Sequence, residues 1–98
     1  MAVSNLIHDL RHRRSILINQ LDEVKQHLSE NEDSILLIHH LLTSSSDSDR
    51  KANLVGLLIR LRRRRSALIG EQFSIEHHIK EIDDSVEAII QLPPSHGL

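Results

Sequence analysis

Apolar residues recur along this chain at alternating steps of three and four, and they do so twice. The first run is Leu6, Leu10, Leu17, Leu21, Val24, Leu28, Ile35, Ile38 and Leu42, with Arg13 or Arg14 and Asn31 at its polar steps. The second is Leu54, Leu58, Leu61, Leu68, Ile75, Ile79, Ile82, Val86 and Ile89, with Arg65 and Gln72 at its polar steps. This is the heptad spacing of a coiled-coil seam. It predicts an all-α fold with helices over about 4–43 and 49–92. Ser4 or Asn5 suits the N-cap of the first helix, and Ser46, Asp47 or Asp49 that of the second. Pro93-Pro94 forbids helix past Leu92, leaving 93–98 as a disordered tail. The polar run Thr43–Asp49 is the one strong loop signal in the interior. Ser29-Glu30-Asn31-Glu32-Asp33 is a weaker breaking signal, but the seam keeps its phase across it, so one continuous helix is expected there.

The two runs are copies of one another. Set Leu10-Arg11-His12-Arg13-Arg14-Ser15 on Leu61-Arg62-Arg63-Arg64-Arg65-Ser66 and continue without a gap. Leu17-Ile18 then meets Leu68-Ile69, His27-Leu28 meets His78-Ile79, Asp33-Ser34 meets Asp84-Ser85, and Ile38 meets Ile89. Two copies are too few for a solenoid and read as a duplicated helix. Residues 1–92 are therefore one helical-hairpin domain. Repeat 1 covers about 4–43 and repeat 2 about 50–92, and the loop over 43–49 makes them antiparallel neighbours. Each helix is about 60 Å long at a rise of roughly 1.5 Å per residue.

Antiparallel pairing fixes which residues face each other. Starting from Leu42 opposite Leu54, the seams meet throughout: Ile38 with Leu58, Ile35 with Leu61, Leu28 with Leu68, Leu21 with Ile75, Leu17 with Ile79. The same register sets Arg65 against Asn31 and brings Arg62 to Arg65 beside Glu30, Glu32 and Asp33. It also brings Arg11 to Arg14 beside Glu81, Asp83 and Asp84. Opposed charge blocks of this kind, with a polar layer in the seam, select the alignment more than they hold it together.

The apolar content exceeds one seam. ILLIHHLL (35–42) and LVGLLIRL (54–61) are apolar on most sides and face each other near the turn. An exposed apolar end of that size marks an interface. A homodimer closing into a four-helix bundle is the economical solution, with Leu36, Leu37, Leu41, Leu54, Val55, Leu57 and Leu58 as its interface. A different helical protein in the same groove is the second possibility.

Composition narrows the chemistry. There is no Cys, Trp or Tyr, and Phe73 is the single aromatic, so thiolate chemistry and base stacking on rings are both missing. Three scattered glycines form no phosphate loop, and neither a nucleophile elbow nor a zincin motif is present; the reading is non-enzymatic and without a cofactor. His8 and His12 lie one turn apart, and His12 falls near Asp84 in the register, but two imidazoles and one carboxylate are not a zinc site. Eight histidines do give any assembly a means of responding to pH. The N-terminus meets charge at Asp9 and Arg11, too early for a signal-peptide core, and no apolar run is long enough for a membrane span. A cytoplasmic protein is expected. Leu, Ser and Arg, the three residues with most codons, make up much of the chain, a bias found where a gene is read in an overlapping frame, as in compact viral genomes.

Net charge is −2, yet all nine arginines fall within residues 11–14 and 50–65. Arg11, Arg13, Arg14, Arg60, Arg62, Arg63, Arg64 and Arg65 are the candidate phosphate contacts of a duplex RNA binder, because double-stranded RNA is recognised by shape and backbone. In the hairpin, Arg13 and Arg64 stand roughly 28 Å apart along the axis. In size, composition and architecture the chain resembles the helical-hairpin dimers of nodavirus silencing suppressors, a likeness that implies duplex RNA bound along a bundle face. Gly56-Leu57-Leu58 with Arg64-Arg65 and Leu68 also resembles a patch of a small-subunit ribosomal protein whose helical hairpin binds a ribosomal RNA junction. The Asp-His-Ser turn of that family is missing before it. The leading expectation is an oligomerisation or interaction module; duplex RNA binding on the same scaffold is the alternative.

Overall fold

From Ala2 to Ile90 the chain has no proline and only two glycines, so nothing in its backbone opposes long helices. A computed structural model describes residues 2–92. It contains two α-helices, α1 (Ala2–Ser44) and α2 (Ser48–Ile90), folded back on each other as a hairpin. α1 runs unbroken through 29–33, as the phase of the seam predicts.

The turn is tighter than the polar run suggests. Only Ser45, Ser46 and Asp47 separate the helices, instead of 43–49. Serine and threonine hydroxyls explain the difference. Thr43 Oγ1 and Ser44 Oγ both donate to the carbonyl of His40, at 2.8 and 3.0 Å, and Ser44 Oγ also reaches the carbonyl of Leu41 at 3.3 Å, one of the four acceptors that the helix end leaves open. Asp47 caps α2, its carboxylate accepting from the backbone N–H of Asp49 at 3.0 Å. Ser4 and Asn5 lie inside α1, which already begins at Ala2. α2 stops at Ile90, two residues before the expected Leu92, because a residue preceding proline is disfavoured in helical conformation. The tail expected over 93–98 lies outside the described residues.

The seam is as predicted with two changes and one alternative decided. Every apolar seam position from Leu10 to Leu42 and from Leu54 to Ile89 is buried or half-buried. At the open end Ile7, not Leu6, faces the partner helix, because a step of three from Leu10 preserves the alternation that a step of four would break. Between Arg13 and Arg14 it is Arg14 that is half-buried. The expected Arg65–Asn31 layer does not form: Arg65 swings out to Glu32 at 3.6 Å, and Asn31 Nδ2 donates to the Leu61 carbonyl at 3.2 Å. Guanidinium keeps its hydration by reaching the rim, whereas the shorter carboxamide cannot leave the seam.

This polar layer divides the core. Toward the open end, Leu21, Val24, Leu68, Ile75 and Ile79 form one cluster with Leu17, Ile18 and Leu28 against it. Ile38 and Leu58 are buried separately, toward the turn. Among the described residues no large side chain is completely enclosed. Two helices supply one seam, and that seam stays open along both sides.

Candidate interaction surfaces

The duplication makes the hairpin pseudo-symmetric, and its polar contacts show it. Arg14 donates to Asp83 at 2.6 Å, and the equivalent residues of the other repeat, Arg65 and Glu32, form the second cross-helix pair. Ser34 and Ser85 bond back in the same way to the carbonyls of Glu30 and Glu81. All four arginine and carboxylate partners are substantially exposed, so each pair steers alignment and adds little stability.

The two long sides of the hairpin differ. One carries both cross-helix ion pairs and the contact of Arg62 with His39 Nε2 at 3.4 Å. Along α2 on this side, Val55, Ile59, Arg62, Ser66, Ile69 and Phe73 follow each other at steps of four and three. All six are exposed, and Phe73, the single residue among Phe, Trp and Tyr in the chain, is 74% exposed. Leu36 of α1, 67% exposed, shares a shallow groove here with Arg62 and Ser66. We call this side the apolar face.

The other side is mixed. A groove floored by Ile16, Leu17, Ile75 and Ile82 is rimmed by Arg13, Gln20, His78 and Glu81. Further toward the turn, Glu23, His27 and Glu71 flank the seam, then Glu30, Ser34 and Arg64. Arg13 and Arg64, equivalent in the two repeats, therefore stand on one face.

The structure distributes the seven interface candidates over three places. Leu36 and Val55 belong to the apolar face. Leu37 and Leu57 are exposed on the mixed face by helical spacing, and Leu41 is half-buried at its edge. Leu54 is half-buried in the seam, and Leu58, 6% exposed, is part of the hairpin's own core. Ile59, Ile69 and Phe73 are exposed apolar residues that a search for a single seam passes over. Their signal is present in the sequence as a second three-and-four spacing, displaced by one residue from the first along α2.

Of the eight candidate phosphate contacts, Arg14 and Arg65 are engaged in the cross-helix pairs. Arg11, Arg13, Arg60, Arg62, Arg63 and Arg64 are exposed, and among the described residues none forms an ion pair. No three His, Asp or Glu side chains converge among the described residues in a way that would hold a metal ion. No helix of the described residues is long and apolar enough to cross a membrane. Comparison with protein-family models, with curated proteins and with solved structures finds no match.

Proposed function

We propose that this protein is a non-enzymatic helical module that works by self-association, two hairpins joining into an antiparallel four-helix bundle. The observation that carries this reading is the exposed apolar stripe Val55, Ile59, Ile69 and Phe73 with Leu36 beside it. Large apolar side chains exposed along one stripe of a small chain favour an interface, and a two-helix seam open on both sides has the form of half a bundle core. Sedimentation equilibrium at micromolar concentration tests it: a mass of two chains is expected, and a single-chain mass ends the proposal.

A second reading is supported by the placement of Arg13 and Arg64 on the mixed face, away from the stripe, free of ion pairs and roughly 28 Å apart. A duplex RNA lying along that face would meet guanidinium groups at two places on its backbone, using Arg13, Arg60 and Arg64 with Arg63 at the edge. The same face also carries Glu23, Glu30, Glu71 and Glu81, which oppose a polyanion. A gel shift with a duplex of about twenty base pairs over a salt series decides it: the RNA reading requires salt-dependent binding that Arg63→Ala with Arg64→Ala weakens. Absence of any shift at low salt removes it and leaves the self-association reading untouched.

A further inference from the structure

The outer stripe of α2 is symmetric about its own middle. Read outward from position 64, Arg62 is matched by Ser66, Ile59 by Ile69, Val55 by Phe73, and Ala52 by Glu76. Apolar positions thus stand at equal distances from a polar centre. Steps of three and four place positions symmetrically on any helix. What bears on the partner is matched character, Ile59 with Ile69 and Val55 with Phe73, while Ala52 and Glu76 differ, since an isologous contact pairs residue i with j and j with i.

We infer that the occupant of the apolar face is a second copy of this chain, packed with α2 antiparallel on the partner's α2 and the two-fold axis at the level of Arg64. This rests on the self-association reading and specifies its face and register. Val55 then packs on the partner's Phe73 and Ile59 on the partner's Ile69, each contact occurring twice. Arg62 meets the partner's Ser66 near the axis, where a small side chain leaves room for a guanidinium and its hydration. Glu76 comes level with Ala52 and next to Lys51 of the partner, an opposite charge at each end of the contact. Leu36, in the groove with Arg62 and Ser66, flanks the centre.

The exposed surface is large enough for such a contact. The chain exposes 7461 Å². A compact monomer of 11.2 kDa exposes about 5,700 Å² by the usual scaling. The excess is about twice the roughly 800 Å² that each partner gives up in a standard interface. On the apolar face α2 offers Val55, Ile59, Ile69 and Phe73 in one stripe, broken at its middle by Arg62 and Ser66. On the mixed face α2 presents Leu57 followed by Arg60, Arg64, Ala67, Glu71 and Ser74 at the corresponding positions.

The absence of cysteine makes the register directly testable. Val55→Cys and Phe73→Cys chains are prepared separately, then unfolded, mixed, refolded and oxidised. In the inferred register position 55 of one chain lies over position 73 of the other, while two copies of position 55 stand about 27 Å apart. The mixture is therefore expected to give at least about ten-fold more disulfide-linked dimer than either variant alone, since a disulfide needs Cα atoms within about 7 Å. Ile59→Cys mixed with Ile69→Cys repeats the test at a second level, in case either first substitution weakens the contact. If sedimentation shows dimers but neither mixture links, or a single variant links to itself as readily, the face or register is overturned while self-association stands. If the unsubstituted chain sediments as a monomer, self-association itself is lost.

Discussion

Asn31 is 5% exposed, and its Oδ1 has no hydrogen-bond partner, although Nδ2 is satisfied by the Leu61 carbonyl. A buried acceptor left open costs about 1–3 kcal/mol, so the residue is retained at the expense of stability. The physical return is alignment: a polar group in an apolar seam penalises every register that buries it elsewhere. Asn31→Leu is expected to raise the free energy of unfolding by ~1–2 kcal/mol in urea titration. A loss of stability instead would mean that the carboxamide is fully bonded in solution. Gly70 illustrates the opposite case. A Cβ at this mid-helix position would meet nothing within 4 Å, so Gly70→Ala should stabilise α2 by about 0.5–1 kcal/mol through the unfolded chain's lost freedom. A higher melting temperature checks it, and an unchanged or lower one counts against open space at that point.

At the scale of the helices, stability comes from the cluster Leu21, Val24, Leu68, Ile75 and Ile79, not from the charges. The cross-helix pairs Arg14–Asp83 and Arg65–Glu32 are exposed and contribute only ~0–1 kcal/mol each. Leu68 is among the most buried side chains of the chain and sits opposite Leu28. Leu68→Ala is expected to cost ~2–3 kcal/mol, the lower part of the range for such truncations, because an open-sided seam relaxes around the gap. Circular dichroism during denaturation measures it; a cost below that of removing Arg14 would mean that the seam is not where the hairpin's stability resides. The same paired helices show why the basic run of α2 is not a uniform patch. Four consecutive residues on a helix point in four directions, so Arg62 turns to the apolar face, Arg63 outward, Arg64 to the mixed face and Arg65 to Glu32.

The whole molecule is a rod with a radius of gyration of 22.2 Å, where a compact chain of 98 residues has about 13 Å. Such a shape leaves each core residue sheltered by two helices instead of four. The proposed association over the apolar face would add the missing layer, and coupling of folding to association would make stability depend on concentration. A ten-fold increase in protein concentration is thus expected to raise the melting temperature by a few degrees. A melting temperature independent of concentration over two decades would mean that the hairpin stands alone.

Fold and pairing were legible in the sequence because both follow from periodicity. Heptad spacing specifies helix, the internal repeat specifies two of them, and antiparallel geometry then dictates that Leu28 faces Leu68 and that Arg14 and Asp83, like Arg65 and Glu32, come together. The turn length and the helix ends were less legible, since Thr43 and Ser44 have two uses, as loop formers or as donors to the last carbonyls, and the chain's local energetics decide between them. Which leftover apolar residues share a face emerges only when the two helices pack. Leu36 and Leu37 are neighbours in sequence and lie on opposite sides of the hairpin, while Leu58 vanishes into the seam and Phe73 stands out from it. The reason is that a single helix has no sides until another helix takes one stripe of it; once α1 and α2 have buried theirs, the remaining surface is divided in two, and only then do Val55, Ile59, Ile69 and Phe73 become one stripe.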